Sequence, residues 1–170
     1  MAILSAFTMI RSLAIVHITL AYFIFTSPQM LADQNIVVLL GEAMHLPRVS
    51  GFNKTSPATA MLAVVFALLG LSDLTSAALS DHIAYEYWLS QTPIRLLFLF
   101  GLTSYTYVSK PASAMPFGTS KFYQTPAGDN LKNGLVFTWS FLEMVFWFMV
   151  FLALREERKS LSRRKVNPSS

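Results

Sequence analysis

GLVFTWSFLEMVFWFMVFLAL, residues 134–154, is followed at once by Arg155-Glu156-Glu157-Arg158-Lys159. A run of about 20 residues that is nearly all apolar matches the roughly 30 Å of a bilayer's hydrocarbon when wound as a helix, and a cluster of charge is what stops such a run at the headgroups. Working outward, three further runs read the same way: residues 10–27, closed by Ser27-Pro28; residues 58–79, with Asp73 as their one charge; and residues 92–109, opened by Thr92-Pro93, a favourable helix start. The chain is 54% hydrophobic and 13% charged, with a mean hydropathy of +0.48, which leaves too little polar material to coat a soluble globule of 170 residues. The expectation is an all-α, four-span membrane bundle over residues 1–159, with a short basic tail at 160–170.

The segments between the spans are short. Residues 33–46 hold an apolar stretch too brief to cross, read as an interfacial helix ended by Pro47. Ser80 to Trp88 carries Tyr85, Tyr87 and Trp88, side chains that suit the headgroup zone. Lys110 to Lys132 is punctuated by Pro111, Pro116, Pro126 and Gly128 and reads as irregular. A cleaved leader is disfavoured, because bulky aromatics fill the first run and no small-residue cleavage pattern follows it.

The net charge of +4 does not point to nucleic acid, since six of thirteen Lys and Arg residues lie in the last sixteen positions. Arg155, Arg158, Lys159, Arg163, Arg164 and Lys165 are placed to touch anionic lipid headgroups and hold the carboxyl end in the cytosol. Four crossings then put the amino end there too. Asn53-Lys54-Thr55, an N-glycosylation acceptor, falls in a luminal loop by this topology. Cysteine is absent, which excludes disulfides and thiolate metal sites.

A charge within the hydrocarbon needs a partner, water or a route to the interface. Counting about 1.5 Å of rise per residue puts Asp73 level with Arg95, so an ion pair between spans two and three is expected. Glu143 and His17 come to similar depths and are expected to meet inside the bundle, while Arg11 snorkels to the surface. Ala63, Ala67, Gly70 and Ala77 form a small-residue face for close helix approach. Glu42 with His45, and His82 with Glu86, have helical spacing compatible with metal or acid–base chemistry, but neither pair has the further ligands a site requires. No phosphate cradle, nucleophile elbow or triad is present, and no metal or cofactor is expected.

Four stretches, Leu40–Pro47 (LGEAMHLP), Gly70–Leu74 (GLSDL), Pro93–Phe100 (PIRLLFLF) and Ala153–Glu157 (ALREE), resemble in content and order the fungal membrane family named for increased loss of mitochondrial DNA. The resemblance implies a multi-pass protein of the endoplasmic reticulum and brings no catalytic residues. Joined to the residue reading, it favours a non-catalytic accessory or scaffold subunit of a larger membrane complex concerned with lipid supply. The alternatives are a small ion channel or transporter using Asp73, Arg95 and Glu143, and an intramembrane enzyme using Glu42, His45, His82 or Glu86.

Overall fold

The computed structural model describes residues 5–49, 51–108 and 127–166. Among them every regular element is helical: α1 (Ala6–Thr26), α2 (Pro28–Ala32), α3 (Asn35–Ala43), α4 (Pro57–Ser76), α5 (Asp81–Val108) and α6 (Gly134–Val166), with a 3-10 turn at Ala127–Leu131. Among the described residues three helices, not four, are long and apolar enough to cross a membrane: Ala6–Thr26, Pro57–Ser76 and Gly134–Lys159. α5 has the length but is diluted by His82, Glu86, Gln91, Arg95 and the run Thr103-Ser104-Tyr105-Thr106-Tyr107.

Local chemistry fixes the helix ends. Ser56 accepts the Thr59 amide at 3.1 Å, the Thr59 hydroxyl accepts the Ser56 amide at 2.8 Å, and Pro57 holds the first helical position of α4. The Asn133 side chain accepts the Val136 amide at 3.0 Å at the start of α6. α3 stops where His45 takes a positive φ of 54° and the Leu46 amide reaches back to the Gly41 carbonyl at 2.8 Å, a left-handed stop that satisfies an otherwise orphaned acceptor.

Contacts between helices give their directions. Arg11 meets Ala77 and His17 meets Phe66, so α1 and α4 are antiparallel. Tyr85 meets Leu154, Trp88 meets Trp147 and Thr103 meets Ser140, so α5 and α6 are antiparallel. Ala6 meets Glu157 and His17 meets Glu143, which makes α6 antiparallel to α1. The result is an up–down–up–down bundle. One end, the base, holds Ala6, Ala77, Tyr85 and Leu154; the other, the crown, holds the start of α4, the start of α6 and the two small helices α2 and α3.

The structure corrects several expectations. The helix expected over 33–46 is the shorter α3, Asn35–Ala43, and a separate short helix, α2, precedes it, the two divided where Gln34 takes extended geometry (φ −60°, ψ 133°). The third long helix begins at Asp81, not at Thr92, and runs through Pro93. Proline cannot bond the carbonyl four residues back, but at the neighbouring position the Thr92 hydroxyl donates to the Trp88 carbonyl at 2.7 Å, and packing of the preceding turns on α6 keeps the helix going. Trp88 does not face outward; it is fully buried, stacked on Trp147 with ring centres 5.4 Å apart. Ala67 is exposed, whereas Ala63, Gly70 and Ala77 are buried. The buried stripe runs 63, 66, 70, 73, 77, and position 67 stands one 100° step off it. The backbone of α6 stays helical to Val166, so Arg163, Arg164 and Lys165 extend the helix rather than form a separate tail.

The helices α1 and α4 approach closely at Gly70. A Cβ added to Gly70 would come within 2.7 Å of the Ala14 carbonyl oxygen and 2.8 Å of Ile18 Cγ1. At the crown, α3 rests on the start of α6 through Gly41 and Gly134, where a Cβ on Gly134 would lie 3.2 Å from the Gly41 Cα.

Candidate functional site

The polar heart of the bundle is a chain of side chains that touches each long helix. Arg95 on α5 donates twice to Asp73 on α4, Nη1 to Oδ2 at 2.7 Å and Nη2 to Oδ1 at 2.6 Å. A planar guanidinium matched to a carboxylate in this way is strong and orientation-specific. The Asp73 side chain is 1% exposed and that of Arg95 21%. The guanidinium carbon also lies 4.6 Å from the Trp147 ring centre and 5.2 Å from that of Trp88, so two indole faces complete the cation's shell where water is scarce.

Trp147 links this pair to a second one. Its indole N–H donates to Glu143 Oε2 at 2.9 Å, one turn earlier on α6, and Glu143 Oε1 lies 2.6 Å from His17 Nε2 on α1. Both His17 and Glu143 are buried. At that distance a hydrogen lies between nitrogen and oxygen, whichever of the two owns it. The other ring nitrogen, Nδ1, is buried with no hydrogen-bond partner among the described residues, and the ring stands edge-on to Phe66. The series Asp73, Arg95, Trp147, Glu143, His17 therefore joins α4, α5, α6 and α1.

Two outer ties close the base. The Arg11 side chain donates to the Ala77 carbonyl at 2.9 Å, placing a cation on the last carbonyls of α4, and the Ala6 amide donates to Glu157 Oε1 at 3.0 Å, placing an anion on the first amides of α1. Each sign suits the helix terminus it meets. Arg11 is exposed, so it both caps α4 and faces the surroundings. Toward the crown, buried Thr103 and Ser140 share a hydrogen bond of 3.0 Å. Lys132, before α6, pairs with Asp129 at 2.6 Å, and that bond raises its pKa above the ordinary lysine value.

The other sequence candidates stay apart. Glu42 and Arg48 form an exposed contact of 3.4 Å, His82 and Glu86 an exposed one of 3.8 Å, and the two sets lie at opposite ends of the bundle. Among the described residues no group of three or more His, Cys, Asp or Glu side chains could hold a metal ion. Asn53 is exposed in the turn ahead of α4. Arg155, Arg158 and Lys159 are exposed on α6, while the side chains of Arg163, Arg164 and Lys165 lie outside the described residues.

Sequence reasoning missed Trp88 and Trp147 as partners of Arg95, and Ala77 and Glu157 as partners of Arg11 and Ala6. A signal existed only for the bond of Trp147 to Glu143: the two stand four residues apart, one turn along the same face.

The family model described as Ilm1, increased loss of mitochondrial DNA protein 1, matches residues 4–164. Protein ILM1 of Saccharomyces cerevisiae is 28% identical over 146 residues, which is 86% of this chain and 62% of that protein. Protein ilm1 of Schizosaccharomyces pombe is 26% identical over 140 residues, 82% of this chain and 74% of that protein. The chain thus spans less than two thirds of the budding-yeast relative's length. No solved structure matches.

Proposed function

This chain belongs to the family of increased loss of mitochondrial DNA protein 1, and on that premise we propose that it is a four-span, non-catalytic protein of the endoplasmic reticulum membrane, serving as an accessory or scaffold subunit of a larger membrane complex. The observation that carries the reading is the use made of the buried charges. Asp73, Arg95, Glu143 and His17 are engaged with one another across four helices, so the side chains that chemistry would require are occupied in holding the bundle together.

A fourth crossing by α5 is supported by its place beside α6. From Tyr85, level with Leu154, to Thr103, level with Ser140, it rises about 27 Å, close to the thickness of hydrocarbon. Its Thr92, Thr103 and Thr106 are buried while Ile94, Leu97 and Phe98 are exposed, an inside-out arrangement that whole-helix hydropathy averages away. Four crossings bring the start of α1 and the end of α6 to one side, and the basic residues of α6 assign that side to the cytosol. Mitochondrial DNA, which enters through the family's name, is affected indirectly, by way of lipid supply.

Purification of the protein from its native membranes in mild detergent tests this. The expected particle exceeds the 19.0 kDa of one chain and carries co-purifying membrane proteins. A monodisperse monomer without them overturns the reading. A small channel is the competing assignment, favoured by buried Thr106, Thr103 and Ser140 continuing from Glu143 toward the crown; vesicle flux that changes with Glu143→Gln is its signature.

A further inference from the structure

Between the middle turns of α5 and α6 runs a groove of about 550 Å³, walled by Pro93, Leu97, Phe100, Met144, Phe148 and Phe151 among others, with almost no polar surface in its lining. It opens outward: Leu97 is 75% exposed and Phe148 52%. On α6 the lining residues Met144, Phe148 and Phe151 recur at steps of four and three, and the next steps along that face are Arg155 and Arg158. The Arg155 guanidinium lies 5.7 Å from the Phe151 ring centre, directly beyond the groove's basal mouth. Both arginines are exposed and neither has a carboxylate partner among the described residues, while nearby Glu157 is bound to the Ala6 amide and Glu156 to Lys159.

We propose that this groove is a binding site for one anionic glycerophospholipid, its acyl chain lying along α5 and α6 and its phosphate held by Arg155 and Arg158. Charge at the mouth selects the occupant. An apolar cleft alone accepts any hydrocarbon, whereas two guanidiniums at headgroup depth favour a lipid carrying net negative charge over a zwitterionic one. Pro93 supports the site from the other wall. Having no N–H, it leaves the Leu89 carbonyl without its helical donor and gives α5 a flat ring rather than a projecting side chain beside the cleft. The site rests on the four-span part of the reading above, with α5 crossing beside α6, but not on assembly into a complex.

The full chain reconstituted in phosphatidylcholine vesicles with a minor fraction of phosphatidylserine bearing a photoreactive acyl chain tests the site. Label is expected on the α5 and α6 segments that line the groove. Arg155→Gln with Arg158→Gln is expected to lower that labelling roughly tenfold, to the level given by a phosphatidylcholine probe. Leu97→Trp, a change at an exposed position that fills the cleft, is expected to lower labelling with the arginines intact. Uniform label over every outward helix face, or label unchanged by the arginine pair, overturns the proposal. So does a groove in native membranes that cross-links to a protein in place of lipid.

Discussion

Removing the Asp73 carboxylate, whose side chain is almost wholly buried, leaves Arg95 with its positive charge among indoles and helix backbone. Breaking one side of a buried ion pair costs about 3 to 5 kcal/mol, whereas exchanging both members for apolar residues of similar size is often neutral. Asp73→Ala is therefore expected to lower stability by about 3 kcal/mol, and Asp73→Leu with Arg95→Met to recover most of the loss, as read from unfolding midpoints in detergent. Equal loss in the single and double variants would show that the pair does more than neutralise itself. The meeting of Asp73 with Arg95, and of Glu143 with His17, was legible because ionised groups in hydrocarbon need partners and helical rise makes depth countable. The tryptophans were not. A Trp near a span's end suits the interface and the core equally well, and only the neighbouring helix decides between them.

At the scale of elements, Gly70 sets how closely α1 and α4 approach. Its hypothetical Cβ meets a backbone carbonyl at 2.7 Å, and a carbonyl in the middle of α1 cannot swing aside as a side chain would. Gly70→Ala is expected to push the two helices apart and cost about 1 to 3 kcal/mol, despite alanine's better helix propensity. The same unfolding measurement checks it, with exposed Ala67→Gly as the comparison that changes propensity without touching α1. The apolar runs of α1, α4 and α6 identified these helices in advance. The extent of α5 was hidden by Pro93, which reads as a helix opening in sequence and is tolerated inside one here. The small-residue face was one position out because Ala67 and Phe66 both lie within a helical step of its centre, and sequence alone does not say which of them α1 covers.

For the whole molecule the alternation of helix directions has a consequence for sidedness. With α1 and α5 running one way and α4 and α6 the other, the start of α1 and the end of the α6 core share the base, and Asn53 stands at the crown. Glycosylation acceptors grafted onto the carboxyl end are expected to stay unmodified, while acceptors placed on long flexible spacers in the crown turn near Asn53 become modified in microsomes. Modification of the carboxyl-end acceptors instead would overturn the assignment of the base to the cytosol.

The stacked indoles of Trp88 and Trp147 also give the protein an optical signature. Two of its three tryptophans hold stacked rings, inclined by 25°, at close range with a guanidinium over both, and transition dipoles so placed couple in the near ultraviolet. Because the rings come from different helices, the circular dichroism they produce vanishes when α5 leaves α6, even if every helix stays wound.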